Sequence, residues 1–90
     1  MVVRLAAGLR PHAAGQASVE LDDLPSPVTV GAVLDALAVA HPAVGRRVRD
    51  EAGTLRRHVN VFVGDENVRD ESSAVPEGAE VTVLPAVSGG

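Results

Sequence analysis

The 90-residue chain has no cysteine, no lysine, no tryptophan and no tyrosine, and Phe62 is its only aromatic residue. Without cysteine there is no disulfide, thiolate metal site, iron–sulfur cluster or side chain able to carry a persulfide. Without lysine the chain cannot be joined to copies of itself through side-chain isopeptide bonds, so in any conjugation it is the donor and not the branching acceptor. The net charge of −4 argues against a nucleic-acid binder, which normally presents a basic footprint. No apolar run approaches the length of a membrane span. Met1-Val-Val-Arg4 lacks the charged-then-apolar order of a secretion signal, so a soluble cytoplasmic protein is expected. Catalytic patterns are missing too. His12, His41 and His58 are not paired at metal-ligand spacing. Ser18, Ser26, Ser72, Ser73 and Ser88 lack a strand–turn–helix elbow, and there is no phosphate-binding glycine loop. These absences exclude an enzyme active site, a metal centre and a bound cofactor.

What is present is valine, alanine and leucine, with apolar residues making up 46 % of the chain. Short branched side chains suit one small domain, a sheet covered by a helix. Val2 to Ala6 reads as a first strand. After a turn region at 8–15, residues 16–21 alternate, with Ala17, Val19 and Leu21 on one face. Thr29 is an expected helix N-cap, followed by Val30, Val33, Leu34 and Leu37 on one stripe. Pro42 is expected to end that helix, with a further helical turn from Ala43 to about Arg49. His58 to Val63 alternates again, Gly64 to Asn67 turns, and Val68-Arg69 reads as a short return strand. A turn over 75–78, with Pro76 at its second position, leads into a last strand, Glu80 to Leu84, closed by Pro85.

Hairpin, helix, strand, short strand and final strand together predict an α+β chain of the β-grasp (ubiquitin-like) type. Four to five strands form a mixed sheet under one main helix, with the first and last strands parallel at the centre. Residues 1–85 form this domain, and 86–90 a flexible tail ending in Gly89-Gly90. Glycine lacks a Cβ, so such a tail enters channels too narrow for other residues. Extended, it reaches roughly 17 Å.

Val59-Asn-Val-Phe-Val-Gly-Asp-Glu-Asn-Val-Arg69 and Pro76-Glu-Gly-Ala-Glu-Val-Thr-Val-Leu-Pro-Ala-Val-Ser-Gly-Gly90 resemble the MoaD/ThiS sulfur carriers, ubiquitin-like β-grasp proteins of prokaryotes. Leu9-Arg-Pro-His12, Gly15-Gln16 and His58-Val-Asn60 are most similar to the actinobacterial CysO type, which serves cysteine synthesis. The resemblance implies that a MoeB/ThiF-like adenylyltransferase uses ATP to adenylate Gly90, and that sulfur displaces AMP to leave a thiocarboxylate there. Pro85, Ala86, Val87, Ser88 and Gly89 would enter the partner's active site. A sulfur-accepting synthase would take the sulfur toward cysteine, molybdopterin, thiazole or another metabolite, and a metalloprotease would release product. Two other readings stand beside this one: a modifier conjugated through Gly90 to lysines of other proteins, and a β-grasp interaction domain never activated.

Several surface residues carry two readings each. Phe62, with Leu84 and Val68, is either an exposed docking patch or part of the core. Arg46, Arg47, Arg49, Arg56 and Arg57 form either a solvated face or a phosphate or partner site. Asp65, Glu66, Asp70, Glu71, Glu77 and Glu80 are either ordinary charged turns or a surface that steers docking to a basic enzyme.

Overall fold

The computed structural model describes residues 1–85. Strand β1 (Val2–Leu5) is followed by a 3-10 turn at Arg10–Ala13 and by β2 (Ser18–Glu20). Two consecutive helices, α1 (Val30–Ala40) and α2 (Pro42–Val48), lead to β3 (Val59–Val63), β4 (Glu66–Asn67) and β5 (Val81–Pro85). The five strands form one sheet in the order β2-β1-β5-β3-β4. Strand β5 lies parallel to β1, pairing Val3 with Val81 and Leu5 with Val83, and antiparallel to β3, pairing Val59 with Pro85 and Val63 with Val81. This is the expected β-grasp, with the chain's first and last strands side by side at its centre.

One sheet face meets the helices. Val3, Leu5, Val19, Val59, Val61, Val81 and Val83 are buried against Val30, Val33, Leu34 and Leu37 of α1 and Val44 and Val48 of α2. Among the described residues nineteen apolar residues are buried, twelve of them valine, and no polar or charged residue is buried with them. Valine has few rotamers to lose, so a core without aromatic bulk orders at low side-chain entropy cost.

Local chemistry sets the element ends. Thr29 caps α1, its Oγ1 accepting from the Ala32 amide at 3.2 Å. Pro42 closes α1, as expected, and also opens α2. It occupies the first helical position, where its missing N–H costs nothing. The return strand is Glu66–Asn67 and not Val68-Arg69. A tight turn at 64–65 brings Glu66 opposite Val63 and Asn67 opposite Phe62, and the same register continues to Val68, whose N–H donates to Val61 O at 2.8 Å. Ala17, expected on the same face as Val19 and Leu21, is exposed; it lies just before β2, with its carbonyl still accepting from Leu5 N at 2.9 Å. The turn before β5 is displaced by one residue. Ala79 N donates to Pro76 O at 3.0 Å, so Pro76 is the first position, and Gly78 takes the third at φ +83°.

The N-terminus of α1 is stitched to the loop before β5. Val30 N donates to Ser73 O at 3.0 Å and Gly31 N to Glu71 O at 2.8 Å. Asp70 shapes that loop by accepting from the Ser72 hydroxyl at 2.7 Å and the Ser72 amide at 2.9 Å, which holds its carboxyl below the usual carboxylate range. Arg49, just past α2, locks the joint. Its guanidinium reaches Asp35 on α1, Glu71 in the loop and Gly31 O at 3.1 Å. Burial works to lower the Arg49 pKa, but the hydrogen bonds and charges of Asp35 and Glu71 outweigh it and raise it.

Two substitutions test this packing. A Cβ at Gly45 would stand 2.6 Å from Ala38 Cβ and 2.9 Å from Ala38 Cα, so α2 rests directly on the α1 backbone. Gly45→Ala is expected to destabilise by about 1–3 kcal/mol in chemical denaturation, and an unchanged midpoint would mean the helices are not so close. Arg49→Ala should cost about 2 kcal/mol, since it strands a half-buried Glu71 and an acceptor carbonyl. Arg57→Ala, on an exposed side chain, should stay within about 0.5 kcal/mol. Equal losses at the two positions would disprove the joint.

Candidate functional site

The expected reactive arm, Ala86 to Gly90, lies outside the described residues. Its root does not. Pro85 ends β5, the middle strand, and is paired with Val59 at the start of β3. On the other side, Ala6 N donates to Val83 O at 3.1 Å, which continues the β1 ladder almost to the same point. The root is thus held from both flanks, and the chain leaves the sheet at its centre rather than at an edge. A Cβ built on Gly8 would lie 3.9 Å from Pro85 Cγ, so the β1 exit runs directly beside the root.

The sheet face away from the helices carries two of the three residues expected to form a docking patch. Phe62 stands opposite Thr82 and Leu84 opposite Asn60, so Phe62 and Leu84 are diagonal neighbours on this face, each half-buried. Val68 does not join them. It is 7 % exposed and packs in the core: its N–H bonds Val61 O at 2.8 Å, which sets it opposite Val61, and opposed residues share a sheet face, here the one that meets the helices. Further along the outer face, Arg4 Nε pairs with Glu80 at 2.7 Å, and the hydrogen bond and charge of Glu80 raise the Arg4 pKa.

The two charged clusters divide in the fold. Arg49 and Glu71 leave them for the structural joint, and Glu80 is paired with Arg4. Arg57 is exposed and lines no pocket with the other arginines. Arg46, Arg47 and Arg56 instead line a pocket of about 430 Å³ with Ala43, His12 and His58. His58 immediately precedes the residue paired with Pro85, so this pocket lies at the tail's end of the sheet. The grouping joins the 3-10 turn, α2 and the loop before β3, three stretches far apart in the chain. No spacing in the sequence signals it. Among the described residues no group of three or more His, Asp or Glu could hold a metal ion, and no helix is long and apolar enough to cross a membrane.

Comparison with known proteins agrees with this architecture. The ThiS family model matches residues 3–90. The sulfur carrier protein CysO of Mycobacterium tuberculosis is 41 % identical over 87 residues, 91 % of this chain and 89 % of that one. The small archaeal modifier protein 1 of Haloferax volcanii is 41 % identical over 78 residues, 86 % of each chain. In its crystal structure that modifier superimposes with a TM-score of 0.87 at 38 % identity, covering 99 % of this chain and 97 % of the other. A chain of the Amycolatopsis orientalis BexX/CysO complex does so with a TM-score of 0.82 at 35 % identity, covering 99 % and 98 %. With a β-grasp fold, a tail root at the centre of the sheet and relatives that span nearly the whole of both chains, the protein belongs to the ThiS family as one of its non-catalytic members.

Proposed function

We propose that the chain is a sulfur carrier charged at Gly90. The observation that carries this reading is the family match, which runs through the tail to residue 90, together with 41 % identity to a protein named as a sulfur carrier. A carboxylate is a poor electrophile, so a MoeB/ThiF-like adenylyltransferase first joins Gly90 to the AMP part of ATP, and pyrophosphate is the leaving group. Sulfide sulfur then attacks the carbonyl carbon, the bond to AMP breaks, and Gly90 ends as a thiocarboxylate. The protein itself binds no cofactor; ATP belongs to the enzyme that activates it. The absence of cysteine supports the same reading, because the chain has no thiol on which sulfur could otherwise sit.

The domain's part in this is to hold the tail out while its partner does the chemistry. Pro85 is paired with Val59 of β3, and Val83 two residues before it is held from the β1 side, whereas Ala86, Val87, Ser88, Gly89 and Gly90 form the segment that enters the partner. Phe62 and Leu84 are the proposed docking residues. They lie on the sheet face next to the root, where an apolar surface can register the domain against an enzyme that has swallowed the tail. A sulfur-accepting synthase then takes the sulfur, and a metalloprotease would be needed only where product stays attached to Gly90.

A second reading has its own support. The similarity to a small archaeal modifier protein, at 41 % identity, favours conjugation of Gly90 to lysines of other proteins. Both fates begin with the acyl adenylate and diverge at the nucleophile, sulfide or an amine. The absence of lysine means that such conjugates are not extended into chains through side-chain isopeptide bonds.

Incubation with ATP, sulfide and the adenylating enzymes of the native host, followed by intact mass measurement, separates these fates. The carrier gains one oxygen-to-sulfur exchange and reacts once with a thiol alkylator. Deleting Gly90 should abolish that exchange with no change in melting temperature, and a truncated chain that still took up sulfur would sink the mechanism. Conjugates to other proteins in a lysate would establish the modifier, and an unaltered mass in both assays would leave only a passive interaction domain. Phe62→Ala and Leu84→Asp are each expected to slow charging about tenfold or more. Unchanged rates would remove the outer sheet face from the docking surface.

A further inference from the structure

The pocket beside the tail root is a concentration of unneutralised positive charge on an acidic protein. Arg46 and Arg47 enter it from the last turn of α2, Arg56 and His58 from the loop before β3, and His12 from the 3-10 turn. None of its lining residues is a carboxylate; Arg46 and Arg56 also border a neighbouring pocket lined by Asp50 and Glu51, neither of which is ion-paired with them. Among the described residues the ion pairs engage Arg4 and Arg49, and none of the three pocket arginines has a carboxylate partner. A chain with net charge −4 and twelve acidic side chains could readily have supplied one.

The pocket is also braced. Arg56 Nε donates to Arg46 O at 3.0 Å, which ties the loop arginine to the end of α2 and leaves its two Nη groups without a protein acceptor among the described residues. Arg69 then holds the loop from below. Its Nη2 donates to Arg56 O at 3.0 Å and its Nη1 to Val59 O at 2.6 Å. Arg56 N in turn donates to Val48 O at 2.9 Å. The favourable field at a helix C-terminus accounts for Arg46 and Arg47 on α2. It does not account for a third arginine fixed against them from another segment, nor for two histidines closing the ring.

We infer that this pocket is a binding site for a phosphate-class oxyanion, held by Arg46, Arg47 and Arg56 with His12 and His58 as further donors. Guanidinium groups present planar forks of N–H donors that match phosphate oxygens two at a time, and several forks around a small cavity favour a compact multivalent anion over a single carboxylate. The phosphate could be free or carried on a larger metabolite. Either source meets the same five side chains. The site stands on residues of the folded domain and not on the tail, so its failure and failure of the carrier reading are separate results.

The test is a titration of the full chain with pyrophosphate at low ionic strength, followed by the backbone amide signals in NMR, with AMP as a second probe and a glutamate-rich peptide as a third. Saturable shifts are expected at His12, Ala43, Arg46, Arg47 and His58. The double variant Arg46→Gln/Arg47→Gln should weaken binding at least about tenfold, as expected from loss of charge-assisted bonds, and Arg57→Gln less than about twofold. Both positions are exposed, so the fold should survive, and an unchanged amide spectrum elsewhere verifies it. Tighter binding of AMP than of pyrophosphate assigns the phosphate to a metabolite, and the reverse assigns it to the free anion; both support the site. Absence of saturable shifts with either phosphate probe, equal weakening by Arg57→Gln, or binding of the acidic peptide alone would overturn it.

Discussion

The parallel ladder between β1 and β5 joins the first strand of the chain to the last, and the rest of the architecture depends on it. Parallel neighbours cannot be linked by a hairpin, so the chain between Leu5 and Val81 has to leave the sheet and return. The excursion through α1 and α2 covers one face and supplies six of the nineteen buried residues among those described. With β1 on one side and β3 on the other, β5 is central, and the segment that follows Pro85 issues from the best-anchored strand. A fixed root under a narrow arm is the arrangement a terminal group needs if it is to be presented to another protein's active site.

Because the core is almost all valine and leucine, its stability rests on close approach rather than on large side chains. Gly45 against Ala38 is the clearest case, two helix backbones brought together by the absence of a side chain. Polar interactions are confined to the rim of this core, where they connect elements that apolar packing leaves apart. Arg49 ties α1, the end of α2 and the loop before β5 into one unit. Arg69 does the same for the loop before β3. These guanidiniums are constructional, whereas Arg46, Arg47 and Arg56 gather in one pocket, with Arg57 exposed outside it.

The fold was legible because it is written in local patterns. Alternation in 59–63 and 81–84, the 3.6-residue stripe from Val30 to Leu37, the Thr29 cap and the prolines each act over a few residues. The misreadings occur where position within a ladder outweighs composition. Val68 looks like surface, yet the two-residue turn ahead of it sets a register in which it stands opposite core-facing Val61 and is buried with it. Pro76 is placed in its turn by the need of Gly78 for positive φ at the third position.

The sequence by itself determined the elements, the two apolar faces and the chemistry open to the tail, since backbone preference, period and the lack of thiol and lysine are all properties of the linear chain. Only the tertiary structure decided which charges are structural and which are available. Arg47 and Arg49 are two residues apart on the same basic run, and nothing in their spacing sets them apart. One points toward Asp35 and Glu71 and is neutralised, while the other stands with Arg56 and His12 in a pocket without carboxylates. That difference comes from long-range packing, which brings residues 12, 47 and 56 together at the tail's end of the sheet and residues 35, 49 and 71 together at the helix joint.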